Sequence, residues 1–252
     1  WFPAGYIDPQ PEADESERIS TTARIMRRQG VPDIFFAQEI RDAATCQSLV
    51  ARLNDPDFKL AVCSSFYSYG EEEPSLQQVA IFTRFEIVDS GSEPWRAADF
   101  VYPPRGYAYA LLRINGGLVA CFNVHLKSNY IAEEQDERKQ AALNRLKREL
   151  ASQQLMRKVN ELRNQGHNGE DIQAFIIAGD FNTPLESVGF DAWREKFHHG
   201  LADCASFAGG VETWPFGLPL LALDHVWLSR DLVPVAAEKG YVAGRDHAWL
   251  FV

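Results

Sequence analysis

Acids, imidazoles and an amide recur at the ends of short apolar runs in this chain. Glu39 follows Ile34-Phe-Phe-Ala-Gln38, and His125 follows Cys121-Phe-Asn-Val124. Asp180 and Asn182 follow Phe175-Ile-Ile-Ala-Gly179, Asp224 follows Leu220-Leu-Ala-Leu223, and Asp246-His247 follow Val242-Ala-Gly-Arg245. The end of a strand is a rigid place from which to aim a side chain into a cleft. Carboxylates there can ligate hard cations or accept protons, and imidazoles can carry protons or bond anions. Taken singly, each has a plainer reading. A Glu after a strand is usually a surface carboxylate, and a lone His is more often a satisfied structural residue. Five placements with complementary chemistry point to one site.

The elements that would position them alternate along the chain. Ile19, Ala23 and Met26 stand at helical spacing within residues 11–29, and a second helix is expected over Ala43–Leu53. Short buried strands are expected at Asp33–Glu39, Phe58–Ser64, Gln77–Arg84, Tyr107–Ile114, Leu118–His125 and Ala174–Ala178, with shorter ones at Leu223–Leu228, Tyr241–Val242 and Ala248–Val252. Asn115-Gly116-Gly117 reads as a hairpin turn. The longest helical pattern runs from about Glu133 to Gln165, with Leu143, Leu146, Leu150, Leu155, Val159 and Leu162 as its apolar stripe. This order describes a mixed α/β domain with antiparallel hairpins and contains no repeat or linker.

Composition narrows the function. Thirty-five acids against 25 bases give a net charge of −10 over 252 residues. A protein that coats nucleic acid through counterion release would be basic. A metal-dependent enzyme acting on phosphates need not be, because its bound cations supply local positive charge. No apolar run reaches the roughly 18–20 residues of a membrane-spanning helix. The four cysteines lack CxxC spacing, which argues against zinc. Cys63 and Cys121, in apolar runs, read as buried free thiols. Ser128 lacks a Ser-His-Asp arrangement, which argues against a serine hydrolase.

Gln38-Glu39, Asn123-Val-His125-Leu-Lys127-Ser128, Gly179-Asp180-Phe181-Asn182, Leu223-Asp224-His225 and Asp246-His247 stand in the order of the endonuclease/exonuclease/phosphatase superfamily, and the chain resembles it over nearly its whole length. Val79-Ala-Ile-Phe-Thr-Arg84 is similar to a further strand of that family. The resemblance implies a single α/β domain over residues 1–252, a four-layer α/β/β/α sandwich of two mixed β-sheets (DNase I-like). It also implies a divalent-metal-dependent phosphodiester hydrolase using Mg2+, with Mn2+ or Ca2+ as alternatives. Nucleic acid is the foremost substrate, with phospholipids and inositol phosphates next. Within it, Glu39 would be the principal metal ligand and Asp246 a further metal-site carboxylate. Asp180 would orient or deprotonate the attacking water, and Asn182 would hold the phosphate and that water. His247 would donate to a phosphate oxygen with Asp224 fixing its ring, and His125 would stabilise the phosphoryl group or assist the leaving oxygen. Lys127, Arg105 and Asn123 are candidates for phosphate or substrate contacts. Tyr102, Tyr107 and Tyr109 are candidate substrate-facing aromatics or core residues. His225, on the opposite strand face from Asp224, is expected to be structural.

Family members open with a strand ending in a supporting Asn, whereas this sequence opens at Trp1-Phe2-Pro3-Ala4-Gly5. The resemblance thus implies a domain trimmed at its N-terminus and also close to its C-terminal strand, with an exposed edge beside the strand that ends at Glu39. A binding module that kept the fold and lost turnover is the second class of function. The apolar run Trp214–Leu221 reads as packed core or as a lip at a lipid interface.

Overall fold

Fourteen elements make up the fold in a computed structural model that describes residues 12–68, 70–131, 136–183, 201–203, 212–214, 221–240, 247 and 249–252. Helix α1 spans Glu12–Gln29 and α2 spans Ala43–Leu53. The α2 start is capped by Asp42, whose carboxylate accepts from the Thr45 N–H, and its end by Asn54 in the left-handed region. Helix α3 runs over Glu137–Gln165, between an Asp136 cap and Gly166. The strands are β1 (Ile34–Ile40), β2 (Lys59–Cys63), β3 (Gln78–Thr83), β4 (Glu86–Pro94), β5 (Gly106–Ile114), β6 (Gly117–His125), β7 (Ile172–Asp180), β8 (Leu201–Asp203), β9 (Asp224–Ser229), β10 (Glu238–Gly240) and β11 (Trp249–Phe251).

The strands form a sheet in the order β1-β3-β2, a pair β10-β11, and a six-stranded sheet in the order β4-β5-β6-β7-β9-β8. The larger sheet is mixed, with β6 and β7 parallel and its other pairs antiparallel; the described strands of the smaller sheet are antiparallel. Three apolar clusters fill the spaces between four layers. Ile19, Met26 and Leu49 of the first two helices pack on Ala37, Ile40 and Phe82 of the smaller sheet. Val79 and Ile81 of that sheet meet Ala108, Ala110, Val119 and Cys121 of the larger one. On its far face, Phe122, Phe175 and Ile177 pack on Leu155, Val159 and Leu162 of α3. The fold is the expected α/β/β/α sandwich. Among the described residues β1 is an edge of its sheet, and Trp249 of β11 lies against it, 5.9 Å from the Phe35 ring.

Two features depart from the sequence pattern. Leu146 is 41% exposed, and the buried face of α3 at that level is Asn144 and Arg148. The N-terminal half of α3 overlies the polar loop after β6, where Arg148 Nη1 donates to Lys127 O and Asn144 Nδ2 to Tyr130 O. Apolar side chains would leave those carbonyls without partners there. Strand β4 carries no apolar alternation in Glu86–Pro94; it pairs with β5, packs through Ile87 and Val88, and is tied to β2 where Ser90 Oγ donates to Ala61 O. Its acids and its terminal Pro94 suit an edge strand. The whole of the expected Tyr241–Val242 strand lies outside the described residues, as do Cys204 and Asp246.

Candidate active site

Strand register assembles the centre of the site. His125 is the pairing partner of Asp180 across β6 and β7, and Asp180 is the partner of Asp224 across β7 and β9. Parallel β6 and β7 end together, and antiparallel β9 begins where they end, so one row across three strands carries an imidazole and two carboxylates. The close approach of β6 to β7 requires Gly179, whose φ is +145° and whose Cβ would lie 2.0 Å from the Val124 carbonyl oxygen. Across the sandwich, the β1 ladder shifts register between Ala37 and Ile40. At this bulge Glu39 has φ +55°, a strained region for a residue that is neither Gly nor Asx. Asn123 stitches the broken ladder to the other sheet. Its Nδ2 donates to Ala37 O at 2.9 Å and Ala80 O at 2.8 Å, and its Oδ1 accepts from Gln38 Nε2 at 2.7 Å.

The side chains converge on Asp180. His125 Nε2 stands 3.5 Å from Asp180 Oδ2 and His247 Nε2 stands 3.9 Å from the same oxygen. His247 Nδ1 is bonded to Asp224 Oδ2 at 2.7 Å. The Asn182 N–H donates to Asp180 Oδ1 at 2.8 Å, and Asn182 Nδ2 donates to Leu126 O at 3.1 Å. Asn182 has a left-handed backbone, at φ +52°. Glu39, Asp180, Asp224 and His247 line one cavity of about 210 Å3, which continues along β1 toward Trp249.

Burial, reinforced by the charge of Asp224 and then that of Glu39, pushes the Asp180 carboxyl up to about 7; His247 and the Asn182 N–H act in the opposite direction. Burial, with Arg105 adding to it, holds His125 well below the ordinary histidine value, so it is neutral near pH 7. Its Nδ1 is buried and has no hydrogen-bond partner among the described residues. Lys127 is pushed down to about 8 by burial and then by Arg105, Lys147 and Arg148. Three carboxylates concentrated around a buried centre are what a hard divalent cation would neutralise, so the residues fit such an ion. Ligand atoms of Asp180, Asp224 and His247 lie within 4.8 Å of one another. Within this group His247 and Asp224 already bond each other.

The remaining candidates fall around this centre. Lys127 Nζ donates to Ser128 O and Oγ at 2.9 and 3.1 Å. Arg105 donates to His125 O, Leu126 O and Gln77 Oε1. His225 is buried on the other face of β9, bonded to Thr183 O at 3.0 Å. Tyr107 is packed in the core, while Tyr102 is exposed. Sequence reasoning missed Thr213, whose Oγ1 accepts from the Leu223 and Asp224 N–H groups at 3.3 Å. It also missed Asn129, which donates to Asn182 O at 3.1 Å, and the supporting arginine Arg148. Only Arg148 left a trace, as a charged residue in the buried stripe of α3.

The fold has many structural counterparts. A mannosyl-6-phosphatase of Bacteroides thetaiotaomicron is 18% identical and covers 97% of this chain and 96% of its own, at a TM-score of 0.65. Truncated TDP2 of Caenorhabditis elegans is 18% identical over 97% and 92% of the two chains, at 0.62. The beta toxin of Staphylococcus aureus is 16% identical over 94% and 91%, at 0.64. No curated protein matches by sequence. At these identities the likeness is one of fold, and the fold is DNase I-like. The sequence model described as the Endonuclease/Exonuclease/phosphatase family matches residues 8–247. With the row of His125, Asp180 and Asp224 at its centre, the chain belongs to the endonuclease/exonuclease/phosphatase family, whose members are generally hydrolases of phosphoester bonds.

Proposed function

We propose that the protein is a divalent-metal-dependent phosphodiesterase, with nucleic acid as its foremost substrate and a water activated by Asp180 as nucleophile. The observation that carries the reading is the buried Asp180 carboxylate, flanked at 3.5 and 3.9 Å by two imidazole nitrogens. In the metal-free chain burial and then the charge of Asp224 push this carboxyl up to about 7, and a carboxylate so placed can accept a proton from water. The Asn182 N–H fixes one of its oxygens and leaves the other toward the histidines. Asp224 holds His247 by Nδ1, which presents Nε2 as a donor to a phosphoryl oxygen when it carries a proton. Neutral His125 can donate one hydrogen bond to the same group or to the leaving oxygen. A Mg2+, Mn2+ or Ca2+ ion held by Glu39, with Asp246 as a further carboxylate, would neutralise charge gathering on the phosphoryl oxygens. Lys127 is the nearby cation suited to the substrate's phosphate.

A phospholipid phosphodiesterase is the second reading, favoured by Trp214 and Leu221. These residues pair through two hydrogen bonds, yet each is 37% exposed three to ten residues before Asp224. A panel of single-stranded DNA, RNA, plasmid and phosphocholine lipid, each with Mg2+ or with chelator, separates them. Chelator-sensitive cleavage of nucleic acid is expected. Tight metal and ligand binding with no turnover on any of the four would leave the binding-module reading instead.

A further inference from the structure

Three successive carbonyls at and beyond the end of β6 are held by guanidinium groups. Arg105 Nε donates to His125 O at 2.8 Å and its Nη2 to Leu126 O at 2.7 Å, while Arg148 Nη1 donates to Lys127 O at 2.9 Å. The third Arg105 nitrogen, Nη1, donates to Gln77 Oε1 at 2.7 Å, which ties in the segment leading to β3. Leu126 is itself a junction. Its N–H donates to Asp180 O at 2.9 Å, and its carbonyl also accepts from Asn182 Nδ2. One guanidinium therefore acts on the peptide units that carry His125 and brace Asn182 and Asp180.

The backbone carries an independent mark. Seven described non-glycine residues have positive φ, and five of them are Asn or Asp, which tolerate that region. The other two are Glu39 and Arg105, the latter at φ +68°. Its conformation is imposed from both sides. The Arg105 carbonyl accepts from the Trp95 N–H at 3.0 Å. The next residue, Gly106, sits so close to β4 that a Cβ there would lie 2.0 Å from Glu93 O. Glycine or asparagine would suit position 105 better on backbone grounds alone, so the long side chain answers to the contacts it makes.

We propose that Arg105 is a positioning residue. By clamping the His125 and Leu126 carbonyls it sets where the His125 imidazole and the Asn182 amide stand relative to Asp180. The inference rests on the hydrolytic reading above and deepens it. It ranks a backbone-holding role for Arg105 ahead of a phosphate contact, because three of its five N–H donors are on protein acceptors.

The test uses Arg105→Lys, Arg105→Gln and Gln77→Leu in the full chain with Mg2+. Turnover of bis(p-nitrophenyl) phosphate, inhibition by inorganic phosphate, and hydrogen exchange of the Leu126 amide are followed together. A lysine cannot bridge three acceptors in fixed planar geometry. Both arginine variants should therefore lose about 10–100-fold in kcat, with much smaller changes in KM and in the phosphate inhibition constant. Leu126 exchange should speed up, and Gln77→Leu should show the same pattern more weakly. A rise in KM and in the phosphate inhibition constant at constant kcat would make Arg105 a phosphate ligand and overturn the proposal, as would unchanged kcat in folded variants. If the arginine variants do not fold, Gln77→Leu decides, and a wild-type kcat there overturns it. If the wild-type chain cleaves no diester, the hydrolytic reading fails separately; faster Leu126 exchange then still upholds the clamp, and unchanged exchange overturns it.

Discussion

Asp180 is where stability and chemistry are in conflict. Its folded-state value near 7 lies above the ordinary 3.8, so between these pH values the folded chain binds a proton that the unfolded chain has released. Stability from this group is therefore present at low pH and is lost as pH rises from about 4 to about 7. Metal-free protein in chelator should melt at a higher temperature at pH 5 than at pH 8. Asp180→Asn should flatten that difference and raise the melting temperature at pH 8, because a buried, poorly compensated charge is gone. The same variant should lose most turnover, about 10²–10³-fold, since an amide cannot take a proton from water. His247→Ala should be similarly severe in a steady-state assay, with Asp224→Ala following it because the ring loses its anchor.

At the scale of elements, the site depends on how closely β6 approaches β7 and on how the two sheets are joined. Gly179→Ala would place a methyl 2.0 Å from Val124 O and must push the parallel pair apart. A loss on the order of 3 kcal/mol in urea unfolding is expected. Asn123→Ala removes the bridge between β6 and the β1 bulge, leaving the buried Ala37 and Ala80 carbonyls without that donor. It should cost about 2–3 kcal/mol. Glu39 stands on that bulge, so Asn123→Ala should also weaken magnesium binding although it removes no metal ligand. Calorimetric titration with Mg2+ checks this, and unchanged affinity would mean that the bulge holds its shape alone.

At the scale of the whole molecule, four layers bring the ends of two sheets together around an excess of negative charge. Metal binding should then feed back on global stability. At a hundredfold excess over its dissociation constant, Mg2+ should add about 3 kcal/mol, or roughly 5–10 °C in melting temperature for a domain of this size. Chelator should reverse the shift. Glu39→Ala should abolish most of it while leaving the metal-free melting temperature near that of the parent chain.

Local pattern alone located the strand ends. An apolar run followed by a polar residue is a one-dimensional signal, and Glu39, His125, Asp180, Asn182 and Asp224 all stand where that signal put them. The Asn115-Gly116 turn and the apolar C-terminal half of α3 were legible for the same reason. The family motifs supplied the order of the layers. What the tertiary structure decided was adjacency. Register between β6, β7 and β9 makes neighbours of His125, Asp180 and Asp224, which are 55 and 44 positions apart in sequence. The left-handed turn at Arg105, the polar face of α3 at Asn144 and Arg148, and strand β4 left little or no trace in local composition. Each is stabilised by partners distant along the chain, through carbonyls that only the folded backbone exposes. Intrinsic propensity reports a residue's own preferences; such positions are set by what the rest of the molecule requires of them.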